Sequence, residues 1–181
     1  DIEIDRMAEV PESLIRQYDH IAEPLLKISR RLQKQVQQVL KDQRRGGRET
    51  GLLMGRRLLT RTLYHDDGRY FYKNRLPQDL PELAVALLVD ESGSMSCADR
   101  ITKARAASII VYDFCKSLRI PVLVLGHTEI GRTVHIYSYA EFEARDANDC
   151  YRLMDMSARS DNRDGAALRY AAERLLRRPE G

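Results

Sequence analysis

The chain has 181 residues, 43% apolar and 31% charged, with a formal net charge of +3. That length suits one domain or one and a half, and the composition predicts a soluble globular protein. A charge so small gives no reason to expect nucleic acid as a partner, and no apolar stretch approaches a membrane span or a signal-peptide core.

The first residue is Asp1 rather than Met, which predicts a piece of a longer protein. Residues 12 to about 43 read as one long amphipathic helix. Its apolar positions Leu14, Tyr18, Ile21, Leu25, Ile28, Leu32, Val36 and Val39 step by four and three, close to a coiled-coil seam. Pro24 is expected to kink or split it near Glu23. The helix is a candidate docking arm, either on its own chain or on a partner. Arg44-Arg45-Gly46-Gly47 breaks it. A second helix is expected from Leu52 to about Thr62, and the positive cluster from Lys41 to Arg61 reads as a solvated helix face. His65-Asp66-Asp67-Gly68 is a turn, Tyr70-Phe71-Tyr72 a short strand, and Pro77 and Pro81 mark a linker. Residues 1–80 are thus expected to form a helical region, and 81–181 a separate α/β part.

Leu83 to Val89 is an unbroken apolar run, as expected of a strand buried on both faces. A helix follows from about Arg100 to Leu118, with Asp99 as N-cap and Ile101, Ala104, Ser108, Val111, Cys115 and Leu118 inward. Val122 to Leu125 is a second strand, and 126–131 a turn. Thr133 to Tyr137 alternates polar and apolar residues, as an antiparallel edge strand would. A polar, irregular stretch covers about 140–159. The last helix spans about 164–178, with Leu168, Ala171, Ala172, Leu175 and Leu176 on its apolar face.

The first strand runs straight into Asp90-Glu91-Ser92-Gly93-Ser94-Met95. Asp90, Ser92 and Ser94 supply one carboxylate and two hydroxyls from one tight turn. Hard oxygen donors of this kind suit Mg²⁺, which takes one or two carboxylates and completes its shell from other oxygens. Gly93 lets the backbone fold close to an ion. The loop also follows the carboxyl end of a strand, where open α/β sheets bind ligands. A bland alternative is a Ser/Gly-rich turn that only caps a helix. Cys97, Cys115 and Cys150 lack C-x-x-C spacing and suit a reducing cytoplasm. His20, His65, His127 and His135 show no H-x-x-x-H pairing, so zinc is not expected. No nucleophile with a paired base, phosphate loop or acid–base pair stands out, so no catalytic residues are assigned.

The strand, the D-x-S-G-S-M loop and the following helix resemble the metal-ion-dependent adhesion site of von Willebrand factor A domains. The resemblance implies a Rossmann-like open sheet, of which this chain holds only the first half, behind a helical N-terminal region. It also implies a Mg²⁺ or Mn²⁺ ion held by Asp90, Ser92 and Ser94. In those domains a second loop usually offers a Thr. Here the corresponding stretch reads Ser160-Asp161-Asn162-Arg163-Asp164-Gly165-Ala166-Ala167-Leu168. Asn162 takes the Thr position, with Asp161 and Asp164 beside it as further candidate ligands, Asp164 alternatively being the helix N-cap. The third ligand, an Asp after the next core strand, would lie beyond Gly181. The first strand is then expected to be a bare edge, through truncation, domain swapping or the remainder lying in another chain.

Gly46-Gly47-Arg48, Arg56-Arg57-Leu58, Phe71-Tyr72-Lys73, 161–168 and Arg178-Pro179-Glu180 are similar to the T subunit of aerobic cobaltochelatase and to the D-type nitric oxide reductase activation proteins. That likeness implies a non-catalytic subunit beside a MoxR-type AAA+ ATPase, acting on a client metalloprotein that offers a carboxylate to the metal. A tetrapyrrole client, or a general metal-dependent ligand-binding role, is the alternative.

Overall fold

A computed structural model describes residues 1–45, 47–75, 82–143 and 146–179. Gly46, Pro77, Pro81 and Glu180, which carry parts of the expected break, linker and likeness, lie outside the described residues. The chain is mixed α/β and divides into two units, Asp1–Gln33 with Glu82–Gly181, and Lys34–Pro81. One division falls between Pro81 and Glu82, next to the expected boundary at residue 80, and residues 1–33 cluster with the α/β part rather than with 34–81. The long helix, α1 (Glu12–Arg45), begins in the first unit and ends in the second.

In the first unit the apolar run forms a strand, Val85–Asp90, within a four-stranded sheet. In chain order its strands are β1 (Ile2–Asp5), β5 (Val85–Asp90), β6 (Val122–Ile130) and β7 (Thr133–Ala140). Their spatial order is β1-β7-β6-β5. β5 pairs parallel with β6, β6 antiparallel with β7, and β1 parallel with β7. β5 is therefore an edge strand. The segment 126–131, expected as a turn, is mostly strand, and only Gly131-Arg132 turns.

Alternation along β5 and β6 divides the core. Val85, Leu87, Val89, Val122 and Val124 face one side, which is covered by α2 (Arg100–Ser117) through Ile101, Ile109, Tyr112 and Cys115. Asp99 stands at the N-cap of α2 but in left-handed backbone, with no side-chain capping bond. Ala86, Leu88, Leu123 and Leu125 face the other side, under Ala167 and Ala171 of α4 (Asp164–Leu176). The apolar face expected of α4 is corrected here: Leu168 is 61% exposed and Leu176 84%. Small Ala side chains let this helix lie close on the sheet, with Leu168 and Leu176 turned outward and Leu175 half-buried.

The first half of α1 docks on its own chain. Leu14, Tyr18, Ile21 and Leu25 pack against the α2 side of the core. The helix stays unbroken through Pro24, which is exposed. The carbonyl that loses its bond, His20, is also on the solvent side, and water can satisfy it while the packed residues on both sides of Pro24 hold the helix together. Beyond Leu25 a 3.6-residue turn drifts away from a heptad seam. Ser29 becomes the buried residue, and Ile28 and Leu32 are exposed. Gln33 donates to Ser29 Oγ at 3.0 Å and to Asp113 Oδ2 at 3.3 Å.

The stretch 140–159 is less irregular than its polarity suggests. It contains the short helix α3 (Asp149–Arg152) and a 3₁₀ turn at Leu153–Asp155, and Leu153, Met154 and Met156 are core residues. Arg152 is 2% exposed. It donates to Asp146 twice and to Asp149 Oδ1, all at 2.7 Å, and to the carbonyls of Met7 at 2.8 Å and Ala8 at 3.4 Å. Arg6 donates to Asp149 Oδ1 at 2.7 Å as well. These bonds fasten β1, whose four residues are all exposed.

Arg152→Leu removes the cation and leaves Asp149 buried without its main counter-charge. The expected loss is about 3 kcal/mol, with fast hydrogen exchange at Ile2–Asp5 as its local sign. Acid has a milder effect in the same place. Hydrogen bonds from Arg152, and then from the Asn148 amide, hold the Asp146 carboxyl well below its ordinary value of 3.8. A lowered folded value means that the pair stabilises the protein fully above that ordinary value, and that this contribution is lost progressively as pH falls from there through the lowered value. Exchange protection of β1 should follow that titration.

The second unit holds the end of α1 and a three-stranded antiparallel sheet of order β2-β4-β3, from β2 (Gly47–Leu52), β3 (Arg57–Leu58) and β4 (Phe71–Arg75). The helix expected at 52–62 is not formed. Leu52 pairs with Phe71 across a bulge at Gly51, whose φ of +78° favours glycine. Gly55 approaches the Phe71 side chain so closely that a Cβ would stand 3.0 Å from it. Two glycines four residues apart thus break the leucine pattern that mimics a helix. The strand at 70–72 is present as β4.

Candidate metal centre

Asp90 ends β5 on the face shared with Ala86 and Leu88, and is directly opposite His127 in the parallel register. The next residues turn sharply. Ser92 N–H donates to Asp90 Oδ1 at 2.8 Å, the Ser92 hydroxyl to Asp90 Oδ2 at 2.9 Å, and the Ser92 and Ser94 hydroxyls lie 3.1 Å apart. One carboxylate and two hydroxyls therefore converge. Ser92 is the N-cap residue of the 3₁₀ turn Gly93–Asp99, yet its side chain makes no capping bond there. This counts against a loop that merely starts a helix.

Two other segments are sewn to this loop through the backbone. Glu91 N–H donates to the His127 carbonyl at 2.9 Å, Arg159 N–H to the Glu91 carbonyl at 2.7 Å, and Gly93 N–H to the Ser160 carbonyl at 2.6 Å. Asp161 exchanges two backbone bonds with Glu129, at 2.8 and 3.1 Å, and its carbonyl accepts the Thr128 hydroxyl at 2.9 Å. Asp161 is thus fixed on a segment bonded to the Asp90 loop, and the side chains of Asp161 and Asn162 are exposed. Asp164 is the first residue of α4 rather than its cap. It is 68% exposed, and its Oδ1 lies 3.5 Å from Nε2 of the buried His127. A carboxylate suits that first turn. No side-chain bond joins Asp161, Asn162 or Asp164 to Asp90 among the described residues.

The donor set fits a hard cation. Asp90, Ser92 and Ser94 would hold it, with Asp161, Asn162 and Asp164 at hand on the adjoining segment. Among the described residues no cluster of three or more His, Cys, Asp and Glu is arranged for a metal ion, so any ion here would rest on hydroxyl oxygens as well as carboxylate. Cys97 is exposed.

Beneath the loop lies a buried network that sequence reasoning missed. Glu91 is fully buried. Its Oε1 accepts the Tyr139 hydroxyl at 2.5 Å and its Oε2 accepts Arg159 Nε at 2.7 Å. Arg159 also pairs with Asp155 at 2.9 Å and lies 4.0 Å from the centroid of Tyr137. Burial raises the Glu91 carboxyl above its usual range despite the hydrogen bonds from Tyr139 and Arg159. Gly126 makes room for it: a Cβ there would be 2.0 Å from Glu91 Oε1 and 2.9 Å from Tyr139 Cε2. A glycine inside a strand was the available signal. His127 is 3% exposed, and its Nδ1 has no hydrogen-bond partner among the described residues.

No family model matches the chain, and no solved structure matches it. It is similar to the uncharacterized protein YojO of Bacillus subtilis (strain 168), with 26% identity over 173 residues. The match covers 90% of this chain and 27% of that protein, so the chain spans about a quarter of the relative's length. No helix among the described residues is long and apolar enough to cross a membrane.

Proposed function

We propose that this chain is part of a von Willebrand A-type module that binds a partner protein through a Mg²⁺ ion, with Mn²⁺ as a substitute. The observation that carries this reading is the convergence of Asp90, Ser92 and Ser94 at the carboxyl end of a parallel strand. The mixed sheet with helices on both faces supports it. Asp161, Asn162 and Asp164 are the further candidate ligands, on the segment sewn to the Asp90 loop by the Gly93–Ser160 bond. An ion held by so few protein oxygens keeps a coordination position that a partner's carboxylate can fill. The metal would supply the electrostatic bridge; the chain's own part is to orient the donors and hold the loop rigid from below through Glu91.

The partner in this reading is a MoxR-type AAA+ ATPase in the cytoplasm, and the client a metalloprotein that the pair activates or loads with metal. The chain itself has no catalytic role. Binding of a purified MoxR-type ATPase from the same genome to the immobilised chain tests it. Binding should need Mg²⁺, disappear on chelation and disappear in Asp90→Ala. Equal binding with and without the ion would sink the reading.

A further inference from the structure

Positive charge is concentrated in the second unit. Residues 34–81 hold eleven Lys or Arg against five Asp or Glu, and the remainder of the chain nineteen against twenty-two. Of the cluster from Lys41 to Arg61, Lys41, Arg44 and Arg45 lie on α1, but Arg48 and Arg57 stand on strands rather than on a helix face.

Cross-strand partners share a face of a sheet, and neighbours along a strand alternate. Arg48 is opposite Asn74, Thr50 opposite Tyr72, and Arg57 also opposite Tyr72. These five residues therefore share one face. The other face pairs Leu58 with Phe71, and Glu49 with Lys73 at 3.4 Å. Lys73 on that face is thus paired with an acidic group. On the other, no acidic partner is recorded for Arg48 or Arg57 among the described residues, and both are exposed. The Arg48 guanidinium lies 3.5 Å from the centroid of the Tyr72 ring. A hydrogen bond from Arg48, with the charges of Arg48 and Arg57, lowers the Tyr72 hydroxyl from its ordinary value.

We infer that this face is a docking surface for an acidic segment of a partner protein, whose carboxylates pair with Arg48 and Arg57. The guanidinium fork matches a carboxylate in two-bonded geometry, and stacking on Tyr72 fixes the Arg48 fork before the partner arrives. Single-stranded nucleic acid fits less well. One side of the Tyr72 ring is already covered by Arg48, which leaves that side closed to a stacked base. A lipid surface also fits less well, because Leu58 and Phe71 lie on the opposite face from the arginines.

The test uses the whole chain and a fluorescein-labelled Asp/Glu-rich peptide, followed by anisotropy. Binding should weaken with salt, and fall about tenfold in the Arg48→Gln, Arg57→Gln double variant. Arg57→Lys, which keeps the charge and loses the fork, should be intermediate. No binding, salt-independent binding or unchanged binding in the variants overturns the proposal. Tighter binding of a single-stranded oligonucleotide of equal charge, or of phosphatidylserine vesicles, overturns it in favour of those partners. If circular dichroism shows the double variant unfolded, Arg57→Lys and the salt dependence of the wild type decide. The Asp90 loop belongs to the other unit, so Mg²⁺ titration of the same variants is expected to be unchanged and reports on that loop separately.

Discussion

Gly126→Ala is expected to destabilise the first unit by about 3 kcal/mol, more than most single added methyl groups do. The new Cβ would stand 2.0 Å from Glu91 Oε1, 2.7 Å from Glu91 Cδ and 2.9 Å from Tyr139 Cε2. A side-chain tip can usually swing away from such a clash cheaply. Here it cannot, because Glu91 is fully buried and gripped by Tyr139 on one oxygen and Arg159 on the other. Moving it breaks two charge-assisted bonds and leaves a buried carboxylate uncompensated. The expected fall in melting temperature is about 6–12 °C for a chain of this size.

Two companions make the result diagnostic. Glu91→Ala removes the atoms that the new methyl group meets, so Gly126→Ala should cost less in that background, with a coupling of about 1 kcal/mol or more. Gly165→Ala is the control. It lies in α4 with nothing within 4 Å of a built Cβ, and is expected to be neutral or stabilising by up to about 1 kcal/mol. Additive behaviour of Gly126→Ala and Glu91→Ala would show that the network under the loop is not what requires the glycine.

That network explains why the site was only half legible in the sequence. Asp90, Ser92 and Ser94 are neighbours along the chain, so a strand followed by a tight turn brings their oxygens together whatever the rest does. β5 was legible for a similar reason: an unbroken apolar run suits a strand with helices on both sides. Glu91 meets Arg159 and Tyr139 only through long-range pairing, and nothing local distinguishes it from a surface carboxylate. The same holds for β1, four residues whose register with β7 is fixed by contacts more than a hundred positions away. In the second unit local pattern misled. Leu52, Leu53, Leu58 and Leu59 have helical spacing, but Gly51 and Gly55 break the segment, and the strand pairing of Phe71 and Tyr72 decides its structure.

Calorimetric titration of Mg²⁺ into the chain should give binding to one site, and Asp90→Ala should weaken it roughly 100-fold or more, since the only carboxylate in the converging set is removed. Asp90→Asn is the companion that guards against misfolding. It keeps an acceptor for the Ser92 N–H, which now reaches Asp90 Oδ1 at 2.8 Å, while removing the charge. Loss of Mg²⁺ in both variants with an unchanged melting temperature assigns the effect to coordination. Ser92→Ala and Ser94→Ala should each weaken binding by roughly tenfold, because a hydroxyl is lost and the shell must be completed by water. The adjoining segment can be sorted by the same measurement. Asp164 carries its carboxylate at the start of α4, 3.5 Å from His127. If it reaches the ion, Asp164→Asn lowers affinity and His127→Gln lowers it too, through the lost orientation of that carboxylate. If Asp164 only favours the helix start, both variants leave the titration unchanged and lower α4 stability slightly, and Asp161 and Asn162 remain as the donors to substitute next. Binding that survives Asp90→Ala and Asp90→Asn alike would remove the loop as a metal centre, and with it the proposed metal bridge to a partner.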